Sequence, residues 1–205
     1  MADITGSQYP TSPSFTGINF KTVTPAQVST TVSGKSRRIS LGITYYTWEV
    51  KYPQLVPIDA GTVQGFLGQT LGQTFSFEIL LPKISYSKLS NQTSSTPRLS
   101  AAAALGAKQV ELTNCGANKS VLAAGDFFKF NNHSKVYMCV SPCNSNGSGV
   151  ATLYFTCPLV AAVPLNTNLT ITAVPFTAIC EEDAQAFDIG YGGMTSMSVK
   201  MREVW

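Results

Sequence analysis

Residues 37–55 read RRISLGITYYTWEVKYPQL. Ile39, Leu41 and Ile43 alternate with polar or small residues, and Tyr46, Trp48 and Val50 alternate again just beyond. A period of two carried by β-branched and aromatic side chains predicts a strand. The change of phase between the two sets predicts a slip or bulge near Gly42 to Tyr45. Pro53 ends the run, because proline cannot donate to a ladder.

The same pattern extends outward in both directions. Upstream, INFKTVTPAQVSTTVSGKS is Thr/Val/Ser-rich and alternating, with a turn signal at Ser33-Gly34-Lys35. Downstream, AGTVQGFLGQTLGQ offers the one helix candidate before residue 98. Val63, Phe66, Leu67 and Leu71 have helical spacing, and the glycines weaken it. TFSFEILLP then returns to strand alternation through Phe75, Phe77 and Ile79. The opening MADITGSQYPTSPSFTG has no period and predicts an extended arm over residues 1–17, either disordered or ordered only by lying on a neighbour.

A polar stretch, PKISYSKLSNQTSSTPRLS, marks a boundary over residues 82–100. Five or six short strands follow, with turn signals at Gly125-Asp126, Asn131 to Ser134 and Asn146 to Gly149. That spacing suits a small barrel or sandwich. The tail returns to the earlier style, with Thr195, Met197, Val199 and Met201 on one face of a strand. The expected architecture is therefore mainly β. A discontinuous β-sandwich or split-barrel domain, residues 18–98 plus 175–205 with one short helix, carries an inserted small β-barrel over residues 99–174.

Composition bounds the function. Of the 205 residues 44% are hydrophobic and only 12% charged, about half the usual charged share of roughly 25%. This excludes a disordered chain and a coiled coil. It suits a β-rich protein whose polar but uncharged faces are covered by other subunits. The net charge of +3 is too weak to argue for nucleic acid. Residues 1–90 hold seven Lys/Arg against four Asp/Glu, and residues 91–205 hold seven against seven. The one basic cluster is Lys35, Arg37 and Arg38. It is either a solvated turn or a contact to an acidic partner or to nucleic acid passing nearby.

Five cysteines (Cys115, Cys139, Cys143, Cys157, Cys180) follow a start with no signal-peptide pattern, which predicts reduced, mostly buried thiols. The five N-x-S/T sequons then reflect only Asn/Ser/Thr richness. No apolar run approaches the roughly 18 residues of a membrane helix, so no membrane insertion is expected.

Candidate chemistry is sparse. His133, the one histidine, lies in a turn without a nucleophile motif. Cys139 and Cys143 form one C-x3-C pair, where structural zinc usually takes two pairs. Glu181, Glu182 and Asp183, with Asp188, form the one acidic cluster. Adjacent carboxylates on a strand diverge, which favours a solvated or interface-facing patch over paired-carboxylate catalysis or calcium. Tyr46 and Trp48 could be a stacking platform or, more commonly, a core face. The expectation is no catalytic residue, no metal and no cofactor. The candidate interface residues are Lys35, Arg37, Arg38, Glu181, Glu182 and Asp183.

The quoted stretch, with Trp48, Glu49, Tyr52 and Pro53, a helix-like segment, then Phe75, Phe77 and Pro82, resembles tail proteins of bacteriophages. AAGDFFKFNNHSKVYMCV, Val174 to Phe176 and the closing Glu203-Val204 resemble the second half of such proteins. The resemblance covers most of residues 35–205. The cysteines at 139, 143 and 157 and the Ser/Thr/Pro arm depart from it. It implies a non-enzymatic structural protein of the virion, assembled in the host cytoplasm. Six identical copies would form a ring at the distal tail or baseplate end. The ring would join the tail tube to hub or adhesion components, with DNA at most passing through the lumen. The alternative is a carbohydrate- or receptor-binding module on the inserted barrel, using exposed Tyr137, Tyr154 and Phe155. A cell-wall-degrading enzyme would rest on the acidic cluster alone.

Overall fold

The computed structural model describes residues 5–205. The alternating sequence yields a mainly β chain, 39% strand and 8% helical, with curled sheets and one α-helix. In chain order the elements begin with β1 (Ser7–Gln8), β2 (Gly17–Val23), β3 (Ala26–Thr30), β4 (Ser36–Ser40), β5 (Tyr45–Lys51), α1 (Pro57–Thr70) and β6 (Phe77–Ile79). Next come β7 (Arg98–Leu99), β8 (Gln109–Thr113), β9 (Ser120–Leu122), β10 (Phe127–Phe130), β11 (Val136–Met138) and β12 (Cys143–Asn144). The last are β13 (Ala151–Tyr154), β14 (Leu169–Thr170), β15 (Phe176–Cys180), β16 (Phe187–Ile189) and β17 (Thr195–Glu203). No helix among the described residues is long and apolar enough to cross a membrane.

The chain divides into two units. One takes the described residues up to Val23, with Tyr45–Leu80 and Pro175–Trp205; the other takes Thr24–Thr44 and Leu81–Val174. The second unit thus starts at Leu81 and also includes residues 24–44, which the sequence reading assigned to the first.

The first unit is a sheet in the order β1-β6-β15-β17-β5-β2, with β16 also on β17. Its strands alternate as a half-buried sheet must. Tyr46, Trp48 and Val50 of β5 point inward, as do Met197, Val199 and Met201 of β17. Phe20, paired with Trp48 across the β2–β5 ladder, stacks on it at 6.0 Å, and Phe176 meets Trp48 edge-on at 5.4 Å. Such aromatic pairs add about 0.5–1.5 kcal/mol beyond their burial.

Helix α1 starts at Pro57, whose missing N–H costs nothing in a first turn. Ala60, Val63, Leu67 and Thr70 form its buried stripe. It starts earlier than the glycine-bearing segment alone suggested. It stops at Leu71, a left-handed residue with φ 48°, followed by Gly72 at φ 67°. A Cβ on Gly72 would lie 2.8 Å from Asp183 Oδ1, so this close approach requires glycine.

The expectation for the N-terminal arm needs correction. Residues 1–4 lie outside the described residues. Beyond them, β1 pairs in parallel with β6, and the N–H of Tyr9 donates to Glu78 O at 2.7 Å. Tyr9 is buried against Phe66, Phe77 and Phe15, and its hydroxyl accepts from Tyr52 at 2.9 Å. Tyr9 and Phe15 are the two aromatic anchors within the Ser/Thr/Pro-rich stretch. One buried aromatic side chain, worth roughly 1.5–3 kcal/mol, offsets the ordering of a few residues. Burial raises both phenols, that of Tyr52 to about 12.

In the second unit, β11-β10-β14, β12-β9 and β13-β8-β7 are small sheets, and β3-β4 is a two-stranded ribbon. Single bridges, Cys139 to Phe155 and Arg98 to Asn168, link strand ends between the small sheets. A core of Leu99, Leu112, Val121, Phe128, Phe130, Tyr137 and Leu153 fills the space between them. The buried Asp126 carboxylate accepts from Ser87 Oγ (2.6 Å), Lys88 N (2.9 Å) and Ala123 N (2.9 Å). Buried charge is tolerable only with such partners. The Asn-rich turns have a local cause: Asn146 Oδ1 accepts from the N–H groups of Ser148 and Val150.

Candidate interface

Two opposite-sign segments were singled out, and they fall in different units. The basic one forms the β3–β4 ribbon. Thr31 N donates to Lys35 O at 3.0 Å and Gly34 N to Thr31 O at 2.9 Å, closing the tip where Lys35 sits. Arg38 pairs with Val28 and Arg37 with Ser29, so the two guanidinium groups project from opposite faces. Every residue of β3 and β4 is exposed. Ile39 and Leu41, placed by their alternation in one strand run with Trp48, are 60% and 57% exposed, and Val28, Val32 and Ile43 are exposed with them. This is the residue set that alternation alone missed. The signal was present in the charges: Thr24–Thr44 holds three cations and no carboxylate.

The acidic segment is an excursion in a ladder. Cys180 pairs with Met201 and Phe187 with Met197. One strand advances seven residues while its partner advances four, so three extra residues bulge outward. The carboxylates diverge. Glu182 bridges to Lys200 at 2.8 Å, a contact that raises the lysine's pKa. Asp183 Oδ1 accepts from Gln73 N at 3.3 Å, and the Gln73 side chain donates to Glu181 O at 3.1 Å. The excursion thereby holds the loop after α1, beside a cleft of about 280 Å³ lined by Leu67, Leu71, Asp183 and Phe187. Phe187, Ile189 and Tyr191, which follow the carboxylates, are all exposed.

His133 is tied into its turn. Its Nδ1 lies 2.9 Å from Asn132 Oδ1 and its Nε2 2.9 Å from the Tyr137 hydroxyl. Asn132 Nδ2 donates to Ala162 O, so its Oδ1 faces Nδ1 and can only accept; this puts the ring proton on Nδ1 and leaves Nε2 to accept from the phenol. Burial, with Lys129 and Lys135 nearby, lowers its pKa and keeps it neutral. All five cysteines are free thiols, four of them buried. Burial pushes Cys143 up to about 12 and Cys115 to about 11. Among the described residues no group of three or more His, Cys, Asp or Glu could hold a metal ion.

The aromatic surface expected on the inserted segment is mostly interior. Tyr137 and Phe155 are buried in the core, and only Tyr154 is exposed. The alternation of β13 sends Leu153 and Phe155 inward and Tyr154 outward. Tyr46 and Trp48 are likewise buried, which leaves no stacking platform there. No family model matches the chain, and no curated protein matches its sequence.

Proposed function

We propose that this chain is a structural component of a bacteriophage tail, forming a ring at the distal tail or baseplate end that joins the tail tube to hub or adhesion components. The observation that supports it is the β3–β4 ribbon, apolar and basic on both faces and wholly exposed in the single chain. A lone two-stranded ribbon is marginal in water and presents open edges. A chain with 12% charged residues that keeps such a ribbon is built to have it covered. Ring subunits cover such surfaces through contacts that close by rotation. The resemblance of the Trp48 to Pro53 and Ala123 to Val140 segments to tail proteins supplies the identity of the assembly. Light scattering and negative-stain microscopy of the purified chain test it. The expected result is a closed ring of about six copies that joins tail-tube or baseplate partners; a stable monomer that joins neither overturns it.

A further inference from the structure

We infer that the ring contact is heterologous: the β3–β4 ribbon of one copy docks on the acidic excursion and β16 face of the next. The inference rests on the ring reading above and names the two surfaces that meet.

The first ground is charge. The ribbon segment Thr24–Thr44 carries Lys35, Arg37 and Arg38 and no acid. Residues 181–191, EEDAQAFDIGY, carry Glu181, Glu182, Asp183 and Asp188 and no base. Lys200 neutralises Glu182 at 2.8 Å. What remains is a net charge of −3 on the acidic segment against +3 on the ribbon segment, whose Arg37 and Arg38 lie on opposite faces. Glu49 and Lys51 line the groove beside Asp188 and offset each other.

The second ground is apolar surface. The ribbon exposes Val28, Val32, Ile39, Leu41 and Ile43, and the acidic segment exposes Phe187, Ile189 and Tyr191. Each segment is thus a run of exposed apolar side chains mixed with charge of a single sign, and the signs are opposite. Apolar burial supplies affinity, while charge complementarity sets register and excludes self-pairing of like surfaces. Two ribbons cannot dock on each other without opposing their cations, and two excursions cannot without opposing their carboxylates. Self-pairing of either surface across a two-fold axis is disfavoured; the contact joins two different surfaces, and repeated head to tail such a contact generates rings.

The test uses the full chain in two variants. One is Lys35→Glu/Arg37→Glu/Arg38→Glu. The other is Glu181→Lys/Asp188→Lys, which spares Asp183 and Glu182 because they hold Gln73 and Lys200. All five positions are exposed, so unchanged circular dichroism and unfolding midpoints certify the folds. Each variant alone should lose the ring, with association weakened at least about 100-fold, because like charges then meet across the contact. An equimolar mixture should regain it, since each reversed surface finds its complement on the other variant. Recovery on mixing also separates a contact between copies from one within a chain. Either variant assembling as well as the wild type, or a mixture that stays dissociated, overturns the contact. A wild-type chain that stays monomeric overturns the ring reading and the contact with it. A wild-type ring that survives the ribbon reversal overturns only the contact.

Discussion

β4 and β5 come from one stretch of sequence and have the same apolar period, yet they have opposite fates. Ile39 is 60% exposed and Trp48 is 2% exposed. The difference lies in their ladder partners. β5 has β17 on one side and β2 on the other, and its inward face meets Phe20 and Phe176. β4 has only β3, a strand without large apolar residues except Val28. Alternation selects a strand and says which residues share a face. Whether that face is covered depends on what the rest of the chain, or another chain, brings to it.

The largest expected effect breaks the comparison if it fails. Trp48→Ala removes the largest side chain of the buried aromatic cluster and should cost about 3–5 kcal/mol in a urea titration. Ile39→Ala in the single chain should cost under about 0.5 kcal/mol. Similar losses at the two sites would show that β4 is covered within the chain.

A smaller effect sharpens the β5 side. The Tyr52 phenol, just past the strand, is raised from 10 to about 12 by burial. The folded state therefore holds its proton where the unfolded state has lost it. This stability is complete below pH 10 and is lost as pH rises toward 12. Unfolding from pH 9 to pH 12 should show a decline of which Tyr52→Phe removes about 2 kcal/mol. Cys143 and Cys115 contribute a decline of the same sign from pH 9 upward, because burial raises both. That share should persist in the Tyr52 variant and be lost with serine at those cysteines, while Tyr9, Cys139 and Cys180, also raised by burial, keep a residual decline.

The corner between β4 and β5 comes next. Gly42 has φ 71°, with open space where a Cβ would sit, and its N–H meets Ser40 Oγ at 3.2 Å. Gly42→Ala therefore adds backbone strain and no clash. The cost should be about 1 kcal/mol by thermal or chemical unfolding. A neutral substitution would show that the corner can relax.

Much of the fold was legible because period-two patterns are local. The inward set of β17 and the end of β5 before Pro53 followed from residue order. The change of phase near Gly42 to Tyr45 marked where the strand breaks in two. What escaped was set by distant partners. Tyr9 is buried because β6 and α1 meet it, and nothing in MADITGSQYPTSPS states this. The buried Asp126 depends on donors at Ser87 and Lys88, thirty-eight and more residues away in sequence. At the candidate interface, the charges were visible as clusters. Their apolar companions were not, because Ile39 and Phe187 look the same in sequence whether a core or a neighbour covers them.

The smallest effect on the single chain is the most telling about assembly. Ile39→Ser, Leu41→Ser and Ile43→Ser leave the ribbon's charges and backbone pairing in place. These side chains are 46% to 60% exposed, so removing them forfeits little: the change in unfolding free energy should stay within about 0.5 kcal/mol for each site. A core strand would lose several times that. In an assembly the same methyl groups would leave water. Their loss should then appear as weaker association in light scattering across a concentration series, with the unfolding of the dissociated chain scarcely moved. A variant that assembles normally and unfolds normally would mean that Ile39, Leu41 and Ile43 are idle, and that the likeness of this stretch to β5 extends only to the spacing of its letters.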